Sequence, residues 1–311
     1  MAELEQISII IPTHNRGAIL AVTLASYLEQ GCREIIVVDD AGTDETPAML
    51  AELSRQRKEL RIIRHQERRG APACRNSGAA AAKGEYILFG EDDLRFSPDY
   101  AGVLYDCAVR YDADVVAGRL IYLLQGESDS EALARADARR GRLLNSNLLI
   151  GDLSLKWNEE IPFILLHACS LIRRAVWDEV RYDENYPVNG YREESDFYVR
   201  CAKAGYKLYF SPYTACYHLP RERVTAGGQW RKSPWRYRYW AIRNNIRFLQ
   251  RHYGYLKQKL ELKQSIYRLI AHQAVYESGK ALTYMIRHHC PHIDGILTKM
   301  RQVETGRWNT P

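Results

Sequence analysis

Residues 86–94 read YILFGEDDL, and this stretch decides the fold. Tyr86–Phe89 is a short apolar run of the kind a buried strand carries, so Glu91, Asp92 and Asp93 fall at a strand's carboxyl end. Upstream, the alanine-rich run Ala71–Ala82 predicts a helix stopped near Gly84. Downstream, Pro98–Tyr111 reads as a helix and Asp114–Ala117 as a strand. The same alternation runs back to the start of the chain. Ile7–Ile11 is a strand ending at Pro12, Gly17–Leu28 a helix, Glu34–Val38 a strand closing at Asp39 and Asp40, and Leu60–Ile63 a short strand. Between the last two a helix begins after Thr43–Asp44, with Asp44 as cap and Pro47 in its first turn. Strands alternating with helices predict a parallel sheet covered on both faces, with ligands outside the strands' carboxyl ends.

Two later segments add chemistry to that edge. Glu194 lies in REESDF at the start of the helix predicted over Glu193–Ala204, which Gly205 ends. His218 follows the strand-like run Thr214–Tyr217, itself separated from the strand Tyr206–Phe210 by Ser211–Pro212. Three acids, a histidine and a further glutamate are the equipment to hold a divalent cation and a general base, as displacement of a diphosphate leaving group requires. Each residue also has a plain structural reading. The triplet suits a solvated turn, Glu193, Glu194 and Asp196 suit a helix N-terminus, and a histidine after a strand suits packing. His14, beside the first strand, has no evident task.

The 311 residues carry 46% apolar and 26% charged side chains, ordinary for a globular protein long enough for one large domain or two. No stretch approaches the ~20 apolar residues that cross a bilayer. The longest candidate, Ile161–Ile172, contains His167 and Ser170. The opening MAELEQ is acidic, unlike a secretory signal, and seven cysteines without paired metal-type spacing suit a reducing compartment. A cytoplasmic protein is expected. The fingerprints G-x-G-x-x-G and G-x-x-x-x-G-K-[ST] are absent after the first strand, which argues against a dehydrogenase or a P-loop enzyme. Charge is uneven. From Arg231 to Lys263 ten basic residues face one acid, Glu261, within a net charge of +6, a band that attracts polyanions or membrane surfaces.

From Gln125 to Trp157 the pattern weakens. Glu131–Arg142 reads as a surface helix, and Asn145–Trp157 has no period. The segment fits a lid and a surface insertion equally well. Order returns at Pro162–Leu171 and around Ala175–Val180. After Gly227–Gly228 the chain turns helical, basic and aromatic to about Arg287.

The runs IIIPTHNR, VVDDAGTDET, APACRNSGAAAAKGEYILFGEDDL and YREESDFYVRCAKAGYKLYFSPYTACYHL, in that order over residues 7 to 245, resemble family 2 glycosyltransferases. The resemblance implies a GT-A (Rossmann-like) α/β fold, a mixed sheet flanked by helices with a mostly helical C-terminal extension. The catalytic domain would span 1–228, with a nucleotide half 1–118 and an acceptor half 119–228, followed by the basic helical region 229–311. It implies that Pro12 and Thr13 lie along the nucleobase, that Asp40 accepts a bond from a uracil-like base with Asp39 in support, that Arg75 is near the nucleotide and that Asp92 reaches the ribose. Glu91 and Asp93 match the outer positions of the aspartate-x-aspartate signature, here with glutamate first, and His218 matches a further ligand for Mn²⁺ or Mg²⁺. Glu194 falls where the family carries its catalytic base.

The implied activity is inverting transfer of a sugar from a nucleotide donor, a UDP-sugar, to a saccharide or lipid-linked glycan. Arg221, Arg223 and Arg231 around the glycine pair would close over the diphosphate, or merely form a solvated loop. Trp230 and the aromatics after it would form an acceptor platform, contact the inner face of a membrane, or pack on the catalytic domain. Rival readings are a non-catalytic nucleotide-sugar-binding subunit and a sugar-phosphate nucleotidyltransferase. The latter needs a glycine-rich loop where this chain has THNRG. Nucleic-acid binding lacks a motif and is not expected.

Overall fold

A computed structural model describes residues 4–186, 189–220 and 233–289. In chain order the elements begin with β1 (Ile7–Thr13), α1 (Gly17–Leu28), β2 (Glu34–Asp39), α2 (Thr46–Gln56), β3 (Leu60–Arg64), α3 (Ala71–Ala81) and β4 (Tyr86–Phe89). They continue with β5 (Leu94–Phe96), α4 (Tyr100–Arg110), β6 (Val115–Tyr122), α5 (Asp129–Ala138), β7 (Leu144–Asn145) and β8 (Ile150–Gly151). Then come β9 (Ile161–Pro162), β10 (Ser170–Arg173), α6 (Arg174–Glu179), α7 (Glu193–Lys203) and β11 (Leu208–His218), and finally α8 (Pro234–Lys259) and α9 (Ile266–His289).

One sheet runs β3-β2-β1-β4-β10-β6-β11-β5, with β9 added to β11. The strands β1 to β4 are mutually parallel, and β11 is parallel to β6. β10 is antiparallel to both β4 and β6, and β5 and β9 are antiparallel to β11. The sheet is therefore mixed, as the family resemblance implied, although strand–helix alternation by itself suggested a purely parallel one. Alternation sets the first four strands, whereas β10, a strand of four residues between β4 and β6, enters from the loop after β9 with no helix directly before it.

Every residue of β2 is buried, as are six of seven in β1, because helices cover both faces and a continuous Ile/Val run is what such a strand carries. The main core packs Ile7, Ile9 and Ile11 with Leu20, Leu24 and Tyr27 of α1 and Tyr100 and Leu104 of α4.

Two other expectations change. Tyr206–Phe210 and Thr214–Tyr217 belong to one strand, β11, whose register shifts between Phe210 and Ala215. Pro212 falls inside that irregularity, where a residue without an N–H costs no ladder bond. The segment 125–157 is ordered in part. Ser128 and Glu131 form a capping box that starts α5, and β7 pairs with β8.

Two compact units divide the chain, Met1–Asn145 with Leu149–Gly228, and Ser146–Leu148 with Gln229–Pro311. In the second unit α8 packs with α9, and Arg238 reaches Glu277 at 2.6 Å. Among the described residues no helix is long and apolar enough to cross a membrane.

Candidate active site

The strand directions put the carboxyl ends of β1, β2, β4, β6 and β11 on one edge of the sheet. Thr13 ends β1, Asp39 ends β2, Glu91 to Asp93 follow β4, and His218 ends β11. At this edge lies a cavity of about 320 Å³ lined by Pro12, Thr13, Asp40, Arg75, Glu91, Asp92, Asp93 and His218, together with His14, Arg16 and Cys74. Residues far apart in sequence thus meet because parallel strands end together.

The turn after β4 is fixed from below. The Tyr27 hydroxyl donates to the Glu91 carbonyl at 2.7 Å and accepts the Glu91 amide at 3.1 Å. The ring lies so close that a Cβ on Gly90 would meet its Cε1 at 2.6 Å, so the residue before the acids has to be glycine. On this platform the carboxylates divide into two groups, each gathered by an arginine.

Arg16, from the loop after β1, donates to Asp92 Oδ1 at 2.7 Å and to Asp93 Oδ2 at 2.9 Å. Thr13 takes the other Asp92 oxygen at 2.9 Å. Burial raises the pKa of Asp92 against the pull of Arg16. His218 Nε2 lies 3.7 Å from Asp93 Oδ2. Its Nδ1 is 2.8 Å from the Leu219 carbonyl, which only accepts, so Nδ1 carries the proton. In the neutral ring the Nε2 lone pair then faces a carboxylate oxygen. Two acceptors turned toward each other, one carboxylate and one imidazole, are a donor set that fits a divalent cation, and the carbonyl on Nδ1 is the support that a ligating histidine usually has.

Arg75 is buried in the wall, 1% exposed. It pairs with Glu193 at 2.5 Å and Glu91 at 3.1 Å, and lies 3.8 Å from Glu194. It therefore reaches the cavity from among three carboxylates. Glu91 accepts a bond from this guanidinium on its Oε1 while lining the same cavity as Asp93 and His218. Burial, then the negative charge of Glu194, pushes the Glu91 pKa up to about 8. Glu193 and Glu194 open α7, where the helix dipole favours anions, but they differ. Glu193 has 8% of its side chain exposed and is committed to Arg75, while Glu194 keeps 32% open. The walls around Glu194 still raise its pKa to about 7, burial outweighing Arg75.

Asp40 sits at the other end of the cavity. Its Oδ1 accepts from His65 Nδ1 and the Arg69 amide, and its Oδ2 from the Gly70 amide at 2.7 Å. Gly70 holds φ +90°, a conformation that suits glycine, to deliver that N–H. Burial works against the Asp40 anion, but these donors together hold its pKa below the usual value. Sequence reasoning missed Arg16, His65 and the placement of His14, whose Nδ1 bonds the Asp40 carbonyl at 2.7 Å. The only signal for Arg16 was its position three residues after a strand end. Arg221, Trp230 and Arg231 lie outside the described residues.

Two buried clusters, His167/Cys169/Cys216 and Asp40/His65/Cys74, also bring metal-ligand atoms within 4.8 Å of one another. Neither has a ring lone pair to spare. His167 faces the Gly118 carbonyl and accepts the Cys169 amide, and His65 is held by Asp40 and Ser77. The Asp93–His218 pair is the better candidate.

Comparison with known proteins gives the family and the fold. The sequence profile of Glycosyl transferase family 2 matches residues 8–181. Glycosyltransferase GlyG of Streptococcus pneumoniae is 26% identical over 64% of this chain and 67% of its own length. A Campylobacter jejuni GalNAc(5)-diNAcBac-PP-undecaprenol beta-1,3-glucosyltransferase is 23% identical over 66% and 65%. Across the most similar curated relatives the chain spans from about a quarter to two thirds of their length. In structure, the mannosyltransferase PcManGT of Pyrobaculum calidifontis, solved with GDP-Man and Mn²⁺, superposes with a TM-score of 0.54 over 96% of this chain and 80% of that one at 15% identity. That likeness shows the fold, a mixed sheet of GT-A type.

Proposed function

The chain belongs to glycosyl transferase family 2, and from that premise we propose that it moves a sugar, with inversion, from a uridine diphosphate donor to a hydroxyl of a saccharide or lipid-linked glycan. The observation that carries this reading is a cavity lined by Asp93 and His218, 3.7 Å apart, and by Arg75, beside which the partly open Glu194 lies at 3.8 Å.

Asp40 supports uridine. A carboxylate offers about four acceptor positions, and three are taken within the protein, two on Oδ1 and one on Oδ2. The remaining position on Oδ2 matches the single ring N–H of uracil. Guanine, with two donors side by side, asks for both oxygens. Pro12 and Thr13 flank that end of the cavity, and Asp92, with both oxygens already bonded, keeps lone pairs for a ribose hydroxyl.

Asp93 and His218 would hold Mn²⁺ or Mg²⁺, which when bound supplies electrostatic stabilisation to the departing diphosphate. Arg16 adds a fixed positive charge beside them. Across the cleft Glu194 takes the proton of the acceptor hydroxyl as its oxygen bonds to the anomeric carbon and the bond to the phosphate oxygen breaks. One base and one displacement invert that carbon, by the geometry that separates inverting from retaining glycosidases. Glu193 is bound too closely to Arg75 to serve. The acceptor class follows the relatives' names, among them the undecaprenol-linked glycan of the Campylobacter enzyme. The six described cysteines are all free, which suits a reducing, cytoplasmic setting.

Incubating the protein with a panel of UDP-sugars and Mn²⁺ tests the reading by release of UDP and the anomeric configuration of the product. Release that stops on chelation, with an inverted product, is expected. Donors left intact throughout would make this chain a binding subunit.

A further inference from the structure

We propose, resting on the reading of Asp40 as the uracil acceptor, that His65 is the positioning residue that aims this carboxylate at the base. Asp40 lines the cavity and His65 does not. The imidazole is buried, so whatever it does for a nucleotide it does through a neighbour. His65 follows β3, and its backbone N–H continues the pairing with β2 by bonding the Asp39 carbonyl at 2.9 Å. That register brings Nδ1 to 2.9 Å from Asp40 Oδ1, while Nε2 lies 2.9 Å from Ser77 Oγ in α3. An ionised carboxylate only accepts, so Nδ1 carries the proton. In the neutral ring Nε2 then accepts from the Ser77 hydroxyl.

The ring thus joins the end of β3 to α3 by a directed pair of bonds that finishes on Asp40. The same carboxylate takes the Arg69 amide on Oδ1 at 2.8 Å and the Gly70 amide on Oδ2 at 2.7 Å. Two donors on one oxygen and one on the other fix the plane of the group. They fix with it the direction of the position left open on Oδ2. Without the imidazole, only two amides from adjacent residues would hold that plane. A leucine could fill the space of His65, but it would leave Oδ1 short of a donor and the Ser77 hydroxyl without its acceptor.

Calorimetric titration of the full chain tests this, with three ligands in the presence of Mn²⁺. They are UDP, 3-methyluridine diphosphate, whose ring N–H is blocked, and inorganic pyrophosphate. Wild-type chain should bind UDP more tightly than the methylated nucleotide. His65→Leu should lose about tenfold in UDP affinity, the scale of one hydrogen bond to a charged group, and most of that preference, with pyrophosphate affinity unchanged. His65→Asn, whose amide keeps a donor near the Nδ1 position, should restore most of the loss. Ser77→Ala, which leaves the ring in place but free to turn, should fall between the two and gives the answer where His65→Leu does not fold. A histidine that only ties β3 to α3 would lower the melting temperature of these variants and leave the preference for UDP as in the wild type. That result, or equal losses for UDP and pyrophosphate, would overturn the proposal. Wild-type chain that binds UDP no better than the methylated nucleotide would sink the reading of Asp40 itself, and the role of His65 with it.

Discussion

Arg16 and Arg75 each gather carboxylates at the same edge of the sheet, and they leave different things open. Arg16 holds Asp92 and Asp93 from the cavity side, with 19% of its side chain exposed, and the Asp93 oxygen it touches also faces a histidine lone pair. Arg75 is enclosed among three glutamates, two of which, Glu91 and Glu194, keep about a third of their side chains open. The first group is the one to which the proposed function assigns a cation. The second has more negative charge than its guanidinium offsets, so burial raises the pKa of Glu91, Glu193 and Glu194, and its unmet need is for protons. In the proposed reaction, neighbouring clusters built from the same residue types would divide the work between leaving group and nucleophile.

The widest gap between the two clusters should appear in kinetics. Glu194→Gln removes the proton acceptor and should lower kcat by ~10²–10⁴, with metal-dependent donor binding intact in calorimetry. Asp93→Ala should abolish transfer together with the metal-dependent part of donor binding. Full activity in the Glu194→Gln variant would remove that residue from the mechanism.

Stability separates the arginines next. Arg75→Met leaves buried carboxylates unpaired and should cost about 3–5 kcal/mol in denaturant unfolding. Arg16→Met, at the open wall, should cost less than half as much. Equal losses would erase the distinction between enclosed and open clusters. A smaller effect is read from pH. A base works only when ionised, and the Glu194 pKa is raised to about 7. Therefore kcat/KM should climb about tenfold per pH unit on the acid side and level off near 7, or lower where a bound cation's charge favours the carboxylate. A rate that falls across that range would contradict Glu194 as base.

Much of this was legible in the sequence, for identifiable reasons. Continuous apolar runs such as Ile7–Ile11 and Glu34–Val38 belong to strands buried on both faces, and acids just beyond a run must lie at the sheet's functional edge. The antiparallel insertion of β10 was not legible, because four residues carry too little pattern to show their direction. Nor was the division of labour among the acids. That Glu91 meets an arginine depends on where Arg75 arrives from α3, and a helix side chain that crosses to a loop leaves no periodic trace. Glu193 and Glu194 are adjacent and chemically alike, and only their burial against Arg75 tells them apart.

The central claim, that Asp93 and His218 form a cation site serving a uridine diphosphate, is tested most directly by titrating UDP calorimetrically into the wild-type chain and into Asp93→Ala, each with and without Mn²⁺. The account predicts UDP affinity that rises sharply with Mn²⁺ in the wild type and is indifferent to it in the variant. UDP binding that ignores Mn²⁺ in the wild-type chain, or a metal response that survives in Asp93→Ala, would contradict it.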